Sequence, residues 1–452
     1  MNGTGEIEGR LVEAGLAGSE ASSKAALFGK AADALERFSG GPPAQMRRWF
    51  VPGRIEVLGK HTDYAGGRSL LCAVERGFCV VASGRSDRRV RILDAGRGLE
   101  AELSLDPDLL PIAEDWKVYP MVVARRMARD FPGALAGADI AFASDLPRAA
   151  GLSSSSALVI ALFTALADLN NLDSRPEFAS NIRSREDLAE YLGCLENGLS
   201  FGALEGDRGV GTFGGSEDHT AILCCRPGEL AQYVFCPVRH ERSVPLPGDW
   251  TFVIASSGVA SDKTGSVRAK YNRLSVAAST ILSLWREATR RQDPTLFAAA
   301  TSAPDAPKRI REILRRSSHR EFSAQVLLFR FDQFFEESVS IIPEATEALV
   351  GGDRAAFGEL AARSQSTAER FLGNQIPETT GLVRLARSFG AMAASAFGGG
   401  FGGSVWALVS SGEAKAFRPR WAEGYARAFP ASAARAEFVA TRPGPALLRL
   451  DR

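Results

Sequence analysis

Pro147-Arg148-Ala149-Ala150-Gly151-Leu152-Ser153-Ser154-Ser155-Ser156 runs straight into Ala157-Leu158-Val159-Ile160-Ala161-Leu162-Phe163-Thr164-Ala165-Leu166. A small-residue loop opening an apolar helix presents unpaired backbone N–H groups and the positive end of the helix dipole, which together favour a phosphate. Hydroxyls at that point also suit a magnesium ion. One serine suffices to cap a helix; four in a row after Ala-Ala-Gly-Leu favour a phosphate loop over a plain cap.

Two further segments carry the same kind of signal. Upstream, Pro52-Gly53-Arg54-Ile55-Glu56-Val57-Leu58-Gly59-Lys60-His61-Thr62-Asp63-Tyr64-Ala65-Gly66-Gly67 crowds polar residues between β-like runs. Such crowding is costly unless the residues turn into a ligand pocket, although a polar turn at a sheet end reads equally well for the stretch alone. Downstream, Ala396-Phe397-Gly398-Gly399-Gly400-Phe401-Gly402-Gly403-Ser404 lies between two apolar runs. Its glycines allow a backbone to approach a ligand closely, or form a flexible turn.

The surrounding pattern is mixed. Residues 1 to about 45 show helical spacing at Ala25 to Phe38 and then a stop at Ser39-Gly40-Gly41-Pro42-Pro43, reading as a mobile extension or helix. WFVPGRIEVLG, LLCAVERGFCVVASG and RVRILDAG read as strands of one sheet. Helical periodicity marks Tyr119 to Asp130, Ser155 to Leu169 and Arg185 to Asn197, with β runs at Ala221 to Leu223 and Gln232 to Phe235. Turn-rich Val244 to Asp249 separates this half from long helical patterns at Ser266 to Arg290, Asp305 to Arg315, Ala324 to Ser338 and Arg354 to Leu372. Strand-like Met392 to Ala396 and Val405 to Leu408 follow. The class is α+β throughout.

Composition removes several functions. With 452 residues, 54 basic against 53 acidic and a net charge of +1, the chain offers no field to gather nucleic acid or an anionic membrane. The six cysteines show no metal-ligand spacing and suit reduced thiols in a cytosol. The start, MNGTGEIEGRLVEAG, is no signal peptide, and Ala157 to Leu166 is too short to span a bilayer. A cytoplasmic protein is expected.

In this order and at these separations, the three segments resemble the three motifs of the GHMP kinase superfamily, and the first is similar to the galactokinase signature. The resemblance runs from about Trp49 to Leu408. It implies a two-domain fold, ribosomal-protein-like at the N-terminus and ferredoxin-like at the C-terminus, with the active site between: an extension over 1–45, one domain over 46–248, a second over 249–452. Carried over by motif, Ala149, Ala150, Gly151, Leu152, Ser153, Ser154 and Ser155 wrap the ATP phosphates, Gly399 and Gly400 approach them, and Ser155 and Glu196 ligate Mg2+. Gly214-Gly215-Ser216-Glu217-Asp218-His219 is the segment that fits the catalytic turn, so Asp218 is the base, with its neighbour Glu217 as the alternative. An inserted loop at roughly 200 to 211 fills the long spacing from Glu196. Arg54 holds the aspartate ionised and stabilises the transferring group, though an Asp–Arg pair is also a common structural ion pair. Lys60, His61, Thr62, Asp63 and, from the second half, Tyr271 bind the sugar.

The resemblance therefore implies an ATP-dependent sugar 1-kinase, most simply a galactokinase, working on small molecules as a monomer or weak homo-oligomer. A non-catalytic sugar and ATP sensor is a second class, against which Arg54, Ser155, Glu196 and Asp218 speak. A homoserine- or mevalonate-type member fits the first motif less well. Galactokinases carry glutamate where this chain has Lys60, and a cation there suits a carboxylate. A uronic acid such as galacturonate is thus an alternative substrate, unless Lys60 points away or pairs with Glu56 or Glu75. Ala149 stands where glycine is common and Ser404 where cysteine is frequent.

Overall fold

A computed structural model describes residues 3–43, 45–110, 116–147, 151–259 and 265–451. Its larger sheet is built on three long apolar runs: β1 (Arg47–Leu58), β2 (Arg68–Gly84) and, after β3 (Arg89–Asp94) and β4 (Leu99–Ser104), β5 (Ala138–Ser144). Trp49 pairs with Val80 and Val80 with Phe142, while the alternate residues Cys79, Val81 and Ala141 point to the other face. Both faces are apolar, so both need a cover. Helices Val118–Asp130, Ser154–Leu169 and Arg185–Asn197 bury Trp49, Val51, Val80 and Phe142 on one side. Leu11, Phe28, Ala31 and Leu35 bury Phe50, Cys79, Val81 and Ala141 on the other.

Of the two readings of residues 1 to 45, mobile extension or helix, this cover is the helical one. Helices Gly3–Glu13 and Gly18–Ser39 close a core, and fully buried Lys24 reaches Asp145 at 2.7 Å and Glu20 at 2.8 Å.

β6 (Glu229–Val234) pairs with the start of β2, and β7 (Arg239–Pro245) with β6. A second, four-stranded antiparallel sheet follows β8 (Trp250–Ser256), β9 (Ala393–Phe397), β10 (Ser404–Ser410) and β11 (Phe438–Thr441) in the order β11-β8-β10-β9. One of its faces, with Trp406, shares a core with Phe357 of helix Arg354–Thr367 and with Ile55 and Val57 of β1. At the end of the chain β12 (Leu448–Arg449) returns to the first sheet, pairing with Trp49 and Phe50, so the run expected to end the second domain finishes against the first. Among the described residues no helix is long and apolar enough to cross a membrane.

Two local expectations change. Ala221 to Leu223 belongs to helix Glu217–Cys224, not a strand; three apolar residues are too few for periodicity to separate the two. Helix Ala324–Phe335 does not stop near Ser338 but passes through a π turn, Glu336–Ile341, into Ile342–Val350. Pro343 lacks the N–H that an unbroken α-helix would use, and the wider turn takes up that break.

Candidate active site

Arg54 leaves β1 almost fully buried, at 4% exposure. Its Nε donates to Asp218 Oδ1 at 2.8 Å and its Nη2 lies 2.6 Å from the same oxygen. Nη1 donates to the Gly151 carbonyl, and the Arg54 backbone N–H to the Leu152 carbonyl at 3.3 Å. Asp218 sits in the first turn of Glu217–Cys224 and also accepts from Ser156 Oγ at 3.3 Å on Oδ2. Burial works against the Arg54 charge, but Asp218, Glu217 and Glu56 outweigh it and hold the guanidinium protonated.

On one side of this pair lies a cleft of about 540 Å³ lined by Gly151, Ser153, Ser154, Ser155, Gly399 and Gly400. Ser153, the residue before helix Ser154–Leu169, is in the left-handed region at φ 58° and makes no side-chain cap bond. Its Oγ is buried without a hydrogen-bond partner among the described residues. The helix start thus faces the cleft uncapped, the arrangement that suits an anion rather than the plain serine cap. Gly400 has φ 76°, and a Cβ there would meet Asn374 at 2.5 Å, so the close approach requires glycine. Phe78, Trp116, Tyr119 and Phe142 also line the cleft, offering flat apolar surface for a base.

On the other side Arg54, Asp218, Tyr271, Gly398 and Gly399 also line a smaller recess, so the two hollows meet at the ion pair. The recess holds Asp63, whose Oδ2 accepts from the Glu217 N–H at 3.3 Å. A Cβ on Gly215 would stand 2.4 Å from that oxygen, so the loop before Asp218 rests directly on it. His61 lines the recess with its ring 5.0 Å from that of Tyr271. Its Nε2 is 3.0 Å from the Gly399 carbonyl, which makes Nε2 the donor there, and its Nδ1 is 3.0 Å from the Tyr64 hydroxyl. Burial pushes the Tyr271 hydroxyl well up, and Asp63 adds to it. Glu196, 3% exposed, has the His219 Nε2 at 3.0 Å. Burial lifts Glu56 to about 7, with Lys60 and Arg54 pulling it back; burial also pushes Glu217 well up, reinforced by Glu56 and Asp63.

Residues 35–84 match the galactokinase galactose-binding signature, 118–206 the GHMP kinase N-terminal domain and 344–427 the GHMP kinase C-terminal region. A galactokinase of Roseiflexus sp. (strain RS-1) is 30% identical over 381 residues, covering 83% of this chain and 86% of its own. The chain belongs to the galactokinase family of GHMP kinases. A galactokinase of Chloroflexus aurantiacus is 29% identical, covering 87% of this chain and 91% of its own. The crystal structure of Lactococcus lactis galactokinase complexed with galactose superposes with a TM-score of 0.75 at 23% identity, over 92% of this chain and 98% of the other, which shows the GHMP kinase fold. This member of the family is an ATP-dependent sugar phosphotransferase.

Within this galactokinase-family site, Arg54, Asp218, His61, Asp63, Tyr271 and Glu196 come together, as do Gly151, Ser153, Ser154 and Ser155 with Gly399 and Gly400. Leu152 turns its side chain into the core. Ala149 and Ala150 lie outside the described residues. Two of the expected sugar ligands are elsewhere. Lys60, 1% exposed, donates from Nζ to Ser364 and Ser395 Oγ, each at 2.8 Å, and does not line the recess. Thr62 spends its hydroxyl on the Gly59 and Arg68 carbonyls at 2.8 and 2.7 Å, closing the turn. Glu75, a suggested partner of Lys60, instead accepts from the Ala17 N–H at 3.0 Å. Sequence reading missed Glu56, Ser156 and Asn197 in the recess. Glu56 follows Arg54 by two residues, the strand period that puts both on one face, and that spacing was available to find it.

Proposed function

We propose that the chain transfers the terminal phosphoryl group of ATP to the anomeric hydroxyl of galactose, giving galactose 1-phosphate and ADP. The observation that carries this reading is the Arg54–Asp218 pair at the junction of the phosphate-side cleft and the smaller recess. A nucleotide in the cleft would direct its last phosphate at the pair, and a sugar in the recess its reacting oxygen. Asp218 orients that hydroxyl and accepts its proton, while Arg54 neutralises charge on the group in transfer. Asp63 and Tyr271 accept and donate to ring hydroxyls, and the Ser153–Ser155 backbone cradles phosphate.

Magnesium suits the chemistry of the donor set, two hard oxygens, the Ser155 hydroxyl from the phosphate-side cleft and the Glu196 carboxylate from the recess that adjoins it. Bound there it would neutralise phosphate charge. Glu217 is a poor candidate for the base, because Ser69 Oγ donates to its Oε2 at 2.6 Å in the buried interior, where burial pushes its carboxyl well up.

A neutral hexose is favoured over a uronate. Among the described residues the recess carries the carboxyl side chains of Asp63, Glu196 and Asp218 against one arginine, beside Glu56 and Glu217, whose carboxyls burial pushes up, and Lys60, the cation that suggested a sugar acid, donates to Ser364 and Ser395 and does not line the recess. ADP release measured with galactose, glucose and galacturonate tests this: turnover with galactose should exceed that with galacturonate by at least tenfold. Faster turnover of galacturonate, or of neither hexose, would reject the assignment.

A further inference from the structure

We infer that Ser156, the fourth serine of the run, is a positioning residue that holds the Asp218 carboxylate for the incoming sugar hydroxyl; this rests on the reading of Asp218 as the base. The four serines do not face the same way. Ser153 sits at the left-handed turn, while Ser154 and Ser155 line the phosphate-side cleft. Ser156, one residue further and about 100° around the helix, leaves that cleft and lines the recess. It is 1% exposed, and its Oγ points at Asp218 Oδ2 from 3.3 Å.

The geometry on Asp218 explains what such a donor does. Arg54 brings two nitrogens to one oxygen, Oδ1, and Ser156 donates to the other, Oδ2, at 3.3 Å. The carboxylate is thus held at both oxygens, and removing the Ser156 hydroxyl widens its range about a torsion that is intrinsically broad. Because Ser156 belongs to the helix whose start faces the phosphate cleft, and Arg54 donates to the Gly151 carbonyl just before it, the same few residues fix the base relative to the phosphates. In-line transfer depends on that relation, and small misplacements there are costly in rate.

The test compares Ser156→Ala, Ser156→Thr, Ser155→Ala and Asp218→Ala in the full chain, measuring kcat, both KM values and the magnesium concentration for half-activation. Loss of one hydrogen bond to a charged group predicts a kcat about tenfold lower in Ser156→Ala, with both KM values and the magnesium requirement within about twofold of the parent. Ser156→Thr, which keeps the hydroxyl, recovers most of the loss. Parent-like kcat in Ser156→Ala overturns the inference, as do equal losses in the alanine and threonine variants, which would make packing the cause. A raised magnesium requirement in Ser156→Ala that matches Ser155→Ala would make the hydroxyl a metal ligand instead, and also overturns it. Full turnover by Asp218→Ala would remove the base reading itself, whereas an inactive Asp218→Ala beside a fully active Ser156→Ala removes this inference alone.

Discussion

Replacing Lys60 with methionine separates its two readings, because a buried structural cation and a sugar ligand fail differently. The ammonium donates to Ser364 and Ser395, and Ser364 in turn donates to Glu337 Oε1 at 2.9 Å. Glu337, 1% exposed, also accepts from the Gly59 N–H at 2.9 Å. Methionine keeps the volume but leaves that carboxylate without the cation relayed to it. Breaking a buried pair directly costs roughly 3–5 kcal/mol; with a hydroxyl between the charges the lower end applies, about 3 kcal/mol. Equilibrium urea unfolding should show it as a lower midpoint at unchanged slope. Lys60→Glu should be worse, since it adds a carboxylate where Glu337 and Glu56 already lie. In neither variant should the ratio of galactose to galacturonate turnover move by more than about twofold among molecules that remain folded. Unchanged stability together with a tenfold shift in that ratio would mean the ammonium meets the sugar, and the argument from Ser364 and Ser395 would be wrong.

Asp218→Asn should lower kcat by about a thousandfold while calorimetric ATP affinity stays within about threefold; retained turnover would move the base elsewhere. Glu56 has its carboxyl lifted from 4.5 to about 7 by burial, so the folded chain holds a proton there that the unfolded chain has released. Stability therefore falls as pH rises through that window, and Glu56→Gln should abolish a decline of about 3 kcal/mol; an equal slope in parent and variant, from urea midpoints at pH 5 and 8, would contradict it. Phe28→Ala, in the helix against Phe50 and Val81, should cost about 3 kcal/mol of stability and leave kcat intact. Parent-like unfolding would mean residues 1–39 are not part of the core.

What could be read in advance follows the reach of the interactions. Helix Arg185–Asn197 was legible to the residue because its limits are local: Ser184 caps it by accepting from the Asp187 N–H, and Gly198 ends it in the left-handed region. The pairing of Arg54 with Asp218 across 164 positions was accessible through motif order, not through any property of either residue. Lys60 shows the limit. Which way its side chain turns depends on hydroxyls 304 and 335 residues away, and no pattern around Gly59 to Asp63 encodes them. The helices that cover Phe50 and Val81 were readable in principle, since strands apolar at both odd and even positions require two covers.

The π turn at Glu336–Ile341 makes helical phase an ingredient of the sugar motif. A turn with one residue too many offsets everything beyond it by about 100° relative to a regular helix, and Glu337 meets Gly59 from inside that offset. Deleting a single residue there would preserve nearly every side chain in the segment yet rephase the two flanks against each other. The loop that carries His61 and Asp63 is thus sensitive to length in a distant helix, and an aligned relative lacking that one residue would have to brace its loop by other contacts.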